Sequence, residues 1–226
     1  MPKEHDMSPL AADPFGKEAY DVLKDMLSER VRPKRLKHSV NVAKVARRLA
    51  KAYGADPDKA RLAGILHDWD KGLDNEQLRD RAIELKVDVD EMVLTDMPWL
   101  LHGPTAAAAL SRAYPQFGAD VFQAIERHTS GAADMAPLDC IIYVADIIEP
   151  NRTFGDMEGI ERLRGLVGEI PLEELYFEAF KYTLQFLVST DRVLYPATID
   201  TWNILMRTYG HIAKEKIDIW NIPALD

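Results

Sequence analysis

Apolar positions recur at three- and four-residue steps along most of the chain, the period of an amphipathic helix and not of a strand. Residues 1–16 hold three prolines and no such period, and read as a mobile tail. Tyr20, Leu23 and Leu27 then mark a helix from Lys17 to Arg30. Pro33 opens a second that runs to Tyr53 and stops at Gly54, because proline fits a first helical turn and glycine takes the left-handed conformation past the last. Asp56 before Pro57 supplies an N-cap for a helix with Leu62, Ile65, Leu66 and Trp69 on its apolar face, closed by His67 and Asp68. Asp74 and Gln77 have capping-box spacing ahead of Leu78, Ala82 and Leu85. A further helix follows Gly103-Pro104 through the alanine run Ala106 to Ala109, with His102 just before it, and another covers Ala119 to His128.

The run from Pro137 to Pro150 is apolar on every side, and Ile141, Ile142, Tyr143 and Val144 favour strands. Its length of about twelve residues between two prolines suits a fully buried helix better. Helical patterns over 157–167, 171–190 and 196–214 complete the chain, with Pro171 and Pro196 as starts. Nothing repeats and no region is rich in strands. The fold class is therefore all-α: one helical bundle of about eight to ten helices, with residues 1–16 as a tail and 17–226 as one domain with a C-terminal helical extension.

Composition narrows the class. The 226 residues are 47% hydrophobic and 29% charged, a globular balance able to bury a core. No stretch has the apolar length of a membrane span or the pattern of a signal peptide, and the single cysteine, Cys140, allows no internal disulfide and reads as a small core residue. A cytoplasmic protein is expected. The net charge of −9 argues against a nucleic-acid partner, since backbone affinity needs accumulated Lys and Arg. A small anionic substrate requires locally concentrated positive charge, which metal ions can supply.

The candidate chemistry lies in histidines. His38, His67, His102 and His128 fall at helix positions or helix ends among apolar residues, and any one alone reads as a core histidine. They are joined by Asp68, adjacent to His67, and by Asp146 in the middle of the apolar run. Burying unpaired carboxylates is costly. A metal relieves that cost, and a nitrogen and oxygen ligand set without thiolates leaves positions open for water, which points to catalysis. Lys71 reads either as a phosphate contact or as a helix-terminal lysine, and Arg152 as a bidentate phosphate clamp. Arg35 is the candidate within the basic run Arg30, Arg32, Lys34, Arg35 and Lys37. Thr129 reads as a phosphate contact or a helix cap, Glu149 as a partner orienting a histidine, and Trp69 as core. Asp70 stands beside Lys71 and is expected to weaken its grip through an ion pair. His5 in the tail and His211 in the last helix receive no role.

His38, then His67-Asp68, then Asp146 resembles the signature of the HD metal-dependent phosphohydrolases, and His102 and His128 resemble additions found in their two-metal subset. Arg35-Leu36-Lys37-His38, Leu101-His102-Gly103-Pro104, His128-Thr129-Ser130-Gly131 and Ala145-Asp146-Ile147-Ile148-Glu149-Pro150-Asn151-Arg152 resemble the YqeK-type family. These are bacterial HD-domain hydrolases that cut diadenosine tetraphosphate symmetrically into two ADP. The resemblance runs from about Pro33 to about Tyr209. It implies two divalent metal ions, iron first with manganese or another transition metal as alternatives. One ion takes His38, His67, Asp68 and Asp146, and the other takes His102, His128 and a second oxygen of Asp68. It further implies attack by a metal-bridging hydroxide on an inner phosphate, catalytic roles for Asp68, Lys71 and Arg152, substrate contacts by Arg35, Lys71, Thr129 and Arg152, and a homodimer. Alternatives are another nucleotide substrate (a nucleoside monophosphate, a deoxynucleoside triphosphate or a cyclic dinucleotide) or a non-catalytic nucleotide-sensing module. Ala113-Tyr114-Pro115 lacks the glycine of the cyclic-dinucleotide signature, and a non-catalytic module typically lacks a ligand position.

Overall fold

In the computed structural model, residues 4–152 and 156–210 are described. Among them the chain forms twelve α-helices and two 3-10 turns, without a strand. The long central elements follow the sequence punctuation. Helix α3 (Pro33–Tyr53) starts on its proline and ends on Gly54 at φ 73°. Helix α4 (Pro57–Leu66) is capped by Asp56, whose side chain accepts from the Asp58 and Lys59 amides. Helix α5 (Asn75–Leu85) carries the complete Asp74 and Gln77 capping box. Helix α7 (His102–Ala113) begins on His102 itself, so this histidine is the first residue of its helix and not the one before it. Helix α8 (Ala119–Arg127) stops at His128. Helix α9 (Pro137–Ile148) is a helix as its length argued, with every residue from Leu138 to Ala145 buried.

The apolar run of α9 is explained by its position at the centre of the bundle. It packs on α3, α4, α8, α10 (Met157–Gly165) and α11 (Leu172–Ser189). A helix surrounded on all sides has no polar face to show. Helix α2 (Lys17–Arg30) lies against α3 and α4, and α12 (Pro196–Tyr209) against α11. The remainder of the pattern expected to reach residue 214, and His211 with it, lies outside the described residues. Cys140 is buried in the core, where burial pushes its thiol up to about 12, so it stays an uncharged packing group.

Four short elements were not expected, one of them a 3-10 turn over Pro115–Phe117. Residues 1–16 were read as a tail, yet Ser8–Ala12 form helix α1 with Leu10 buried in the main core. One buried leucine and a first-turn proline leave no periodic pattern to read. Helix α6 (Glu91–Thr95) and a 3-10 turn over Pro98–Leu101 lead into α7. Their Val93 and Leu101 join Leu78 and Ala82 of α5 in a second, smaller apolar cluster. No helix among the described residues is long and apolar enough to cross a membrane.

The α3 and α4 pair is a close contact that bears on function. A Cβ at Gly64 would stand 2.7 Å from Ala43 Cα, so only glycine lets the two backbones approach this far. That approach sets the end of α4 beside the first turns of α3. Gly64→Val is expected to lower unfolding free energy by about 1–3 kcal/mol through overpacking, read as a reduced urea midpoint; an unchanged midpoint would show that α3 and α4 can separate freely.

Candidate metal centre

Five helices deliver their ends or first turns to one pocket. Helix α3 brings Arg35 and His38, the end of α4 brings His67 with Asp68 and Lys71 in the following turn, and α7 begins with His102. Helix α8 ends at His128, followed by Thr129, and α9 contributes Asp146, with Glu149 and Arg152 just beyond it. Gly103 allows the junction of α7 and α8. A Cβ there would meet the Glu126 carbonyl oxygen at 2.9 Å and His128 Cε1 at 3.3 Å.

The four imidazoles are held by the same device. His67 Nδ1 donates to the Gly64 carbonyl at 2.8 Å, His102 Nδ1 to Trp99 at 2.7 Å and His128 Nδ1 to Ile125 at 2.7 Å. His38 Nδ1 meets Glu149 Oε1 at 3.1 Å. Glu149 is fixed in turn by donation from Asn41 Nδ2 at 3.0 Å and from the Asn151 amide at 2.8 Å, which matches its reading as an orienting partner. A carbonyl can only accept, so each of the three Nδ1 atoms carries the proton and leaves its Nε2 as a bare lone pair.

All four Nε2 atoms converge on carboxylate oxygens. His38 Nε2 lies 3.7 Å and His67 Nε2 3.3 Å from Asp68 Oδ2. His102 Nε2 lies 3.4 Å and His128 Nε2 3.8 Å from Asp68 Oδ1. Asp146 Oδ1 stands 2.9 Å from His38 Nε2 and 3.8 Å from His67 Nε2. Asp68 thus turns one oxygen to each pair of histidines. His102 Nε2 and His128 Nε2 are 3.0 Å apart, two acceptors facing each other, and the Thr129 hydroxyl at 3.2 and 2.9 Å has one proton to give to either. Among the described residues, His67 Nε2 is buried without a hydrogen-bond partner.

A pocket lined by acceptors and short of donors is the environment of a cation. Among the described residues, His38, His67 and Asp146 form one group, and His67, Asp68 and His128 another, whose ligand atoms lie within 4.8 Å of one another. Burial favours protonated Asp68, but the surrounding imidazoles outweigh it and hold the carboxyl well below the usual range. Asp146 is held low in the same way, Arg152 and His38 outweighing burial. Burial keeps His102 and His128 below the ordinary histidine value and therefore neutral. Burial alone would lower His38 too, but the Asp146 and Glu149 carboxylates lift it to about 9. The neutral His102 and His128 imidazoles and the ionised Asp68 and Asp146 carboxylates are donors suited to a hard or borderline divalent ion.

Three cations rim this cluster. Arg35 Nη1 donates to Asp68 Oδ2 at 2.9 Å, Arg152 Nη1 to Asp146 Oδ1 at 3.3 Å, and Lys71 Nζ lies 3.4 Å from His102 Nε2. Burial pushes the Lys71 ammonium below its usual range. A cavity of about 470 Å³ opens above them, lined by Lys71, His128, Thr129, Asp146 and Arg152, and also by Trp99 and Arg192. All the residues singled out from sequence for metal and substrate therefore meet in one place. Trp99 and Arg192 were missed. Neither residue stands in a motif that the sequence marks out.

The HD domain family matches residues 35–151, the stretch that holds all six clustered His and Asp positions. The chain belongs to the HD-domain family. Over 189 residues, 84% of this chain and 96% of the relative, it is 34% identical to the Bacillus subtilis (strain 168) protein named "Bis(5'-nucleosyl)-tetraphosphatase, symmetrical". A Staphylococcus aureus (strain NCTC 8325 / PS 47) protein of the same name is 33% identical over 181 residues, covering 80% of this chain and 91% of the relative. A solved structure from Clostridium acetobutylicum, described as a predicted HD superfamily hydrolase involved in NAD metabolism, superposes with a TM-score of 0.75 at 33% identity, covering 84% of this chain and 97% of that one.

One sequence expectation is corrected within this HD domain. Asp70 does not pair with Lys71. It is fully buried and accepts from Arg30 Nη2 at 2.7 Å and Arg81 Nε at 2.6 Å, while Arg30 also covers the ring of buried Trp69 at 4.6 Å. The acid therefore clamps the turn that carries His67 and Asp68 to α2 and α5, and leaves Lys71 facing the pocket. Asp70→Asn, which strips two charge-assisted bonds from partly exposed arginines, is expected to cost about 1–3 kcal/mol, measured by urea unfolding; a change under half a kilocalorie would mean the clamp contributes nothing.

Proposed function

We propose that this HD domain hydrolyses diadenosine tetraphosphate symmetrically, adding one water across the central anhydride to give two ADP. The observation that carries the reading is the split carboxylate of Asp68, one oxygen toward His38 and His67 and the other toward His102 and His128. The names of the relatives support the substrate.

Asp68 would bridge two divalent ions, one held also by His38, His67 and Asp146 and the other by His102 and His128. Iron is the proposed metal, with manganese able to fill the same nitrogen and oxygen set. When bound, such ions activate water for attack and neutralise charge on the phosphoryl oxygens. The chain's own residues do the rest. Arg152 and Arg35, already within 3.3 and 2.9 Å of the site carboxylates, are placed to grip phosphate oxygens, and the planar guanidinium suits two at once. Lys71 adds a point charge whose burial makes an arriving anion favourable. The Thr129 hydroxyl can donate to a phosphate oxygen as readily as to the imidazoles it touches. Held this way, the central anhydride lies over Asp68, and each departing ADP carries its charge past Lys71, Arg152 or Arg192.

Protein prepared anaerobically is expected to carry about two metals per chain and to convert diadenosine tetraphosphate to ADP alone by chromatography. Chelation should abolish turnover and ferrous or manganous ion restore it. Asp68→Ala should lower kcat by more than about 100-fold with an unchanged circular dichroism spectrum. AMP with ATP as products would overturn symmetric cleavage, and full activity in Asp68→Ala would overturn the bridging role.

A further inference from the structure

Beside the charged cavity lies a second chamber of about 180 Å³, roughly six water volumes. The two share Trp99, Thr129, Tyr143, Thr183 and Leu187 as a common wall, so a ligand can extend from one into the other. Their chemistry differs. The first cavity carries Lys71, Arg152 and Arg192. The second is lined by Met97, Leu100, Phe180, Val193 and Tyr195, and among the described residues its lining adds hydroxyl side chains but no charged or amide side chain. At its rim the structure leaves large apolar groups in solvent, Trp99 at 50% and Val193 at 69% exposure. An aromatic half in water beside an apolar hollow is a surface that stacks on a flat ligand.

We propose that this chamber is a nucleobase subsite in which Trp99 and Tyr195 hold one base of the substrate while its phosphates lie in the adjoining charged cavity. The proposal rests on the nucleotide reading above. An uncharged bicyclic ring fits a hollow without charges, and the phosphates fit the arginines and lysine next door. Trp99 joins the two functions physically, since its carbonyl accepts from His102 Nδ1 at 2.7 Å while the residue lines both cavities. Its role is specificity and binding, distinct from the chemistry at Asp68.

Calorimetry on the full-length, manganese-loaded protein can test this with two probes, ADP and pyrophosphate. Trp99→Ala keeps the backbone carbonyl that holds His102 and should weaken ADP by about 5- to 150-fold, the range of one lost base stack, while pyrophosphate affinity stays within about twofold. Trp99→Phe should recover most of the ADP affinity. Thr198→Phe, which fills the chamber from α12, should weaken ADP alone in the same way. Equal losses for both probes would mean that Trp99 acts only through His102 and would overturn the subsite, as would unchanged ADP affinity or no ADP binding by the wild type. These readings involve no turnover, so they stand apart from the test of diadenosine tetraphosphate cleavage.

Discussion

Asp68 and Asp146 are carboxylates set inside a helical bundle, and an ionised acid without a partner is too costly to remain there. The surrounding structure answers that constraint. Four imidazole Nε2 atoms face the two acids, and Arg35 and Arg152 close the open side. The imidazoles cannot settle the charge by donating, because in three of them the ring proton is committed to a backbone carbonyl. Acceptors therefore outnumber protons, and a divalent cation is the group that satisfies them together. Asp68 is the keystone, since it alone faces both pairs.

The same constraint explains why the site is built from helix ends. The last carbonyls of a helix have no partner within it, and Gly64 in α4 and Ile125 in α8 offer such carbonyls to His67 and His128. One bond satisfies the helix end and selects the tautomer. The C-terminal ends of α4, α8 and α9 also point partial negative charge at the pocket, favouring a cation over a protonated acid. Gly64 and Gly103 then determine how near these ends come to α3 and α7. Helix packing at two glycines is thus coupled to ligand spacing at the centre.

Much of this was legible in the sequence because it is written in local chemistry. Prolines, glycines and the Asp56 and Asp74 caps mark helices without reference to the rest of the chain, and acids and histidines among apolar residues declare that something must compensate them. What was not legible depends on tertiary placement. Leu10 is buried by a core it does not adjoin in sequence, and the short α6 presents too few residues for a period. Asp70 looked like a partner for Lys71 because they are adjacent, but the turn directs it at Arg30 and Arg81. Trp99 and Arg192 escaped because nothing in their own segments says that the loop before α12 lies across the chain from the turn before α7. A tryptophan three residues ahead of His102 was the available signal.

The charge distribution gives the last step. A chain of net charge −9 repels a polyphosphate at long range, yet at physiological ionic strength charges separated by more than about 8 Å are largely screened. What remains is the local field. Within the partly enclosed cavity Lys71, Arg152 and Arg192 act at short range and at reduced dielectric, where attraction is strongest and screening least. The fold thus decides where positive charge is kept, and Arg35 and Arg152 are kept beside Asp68 and Asp146.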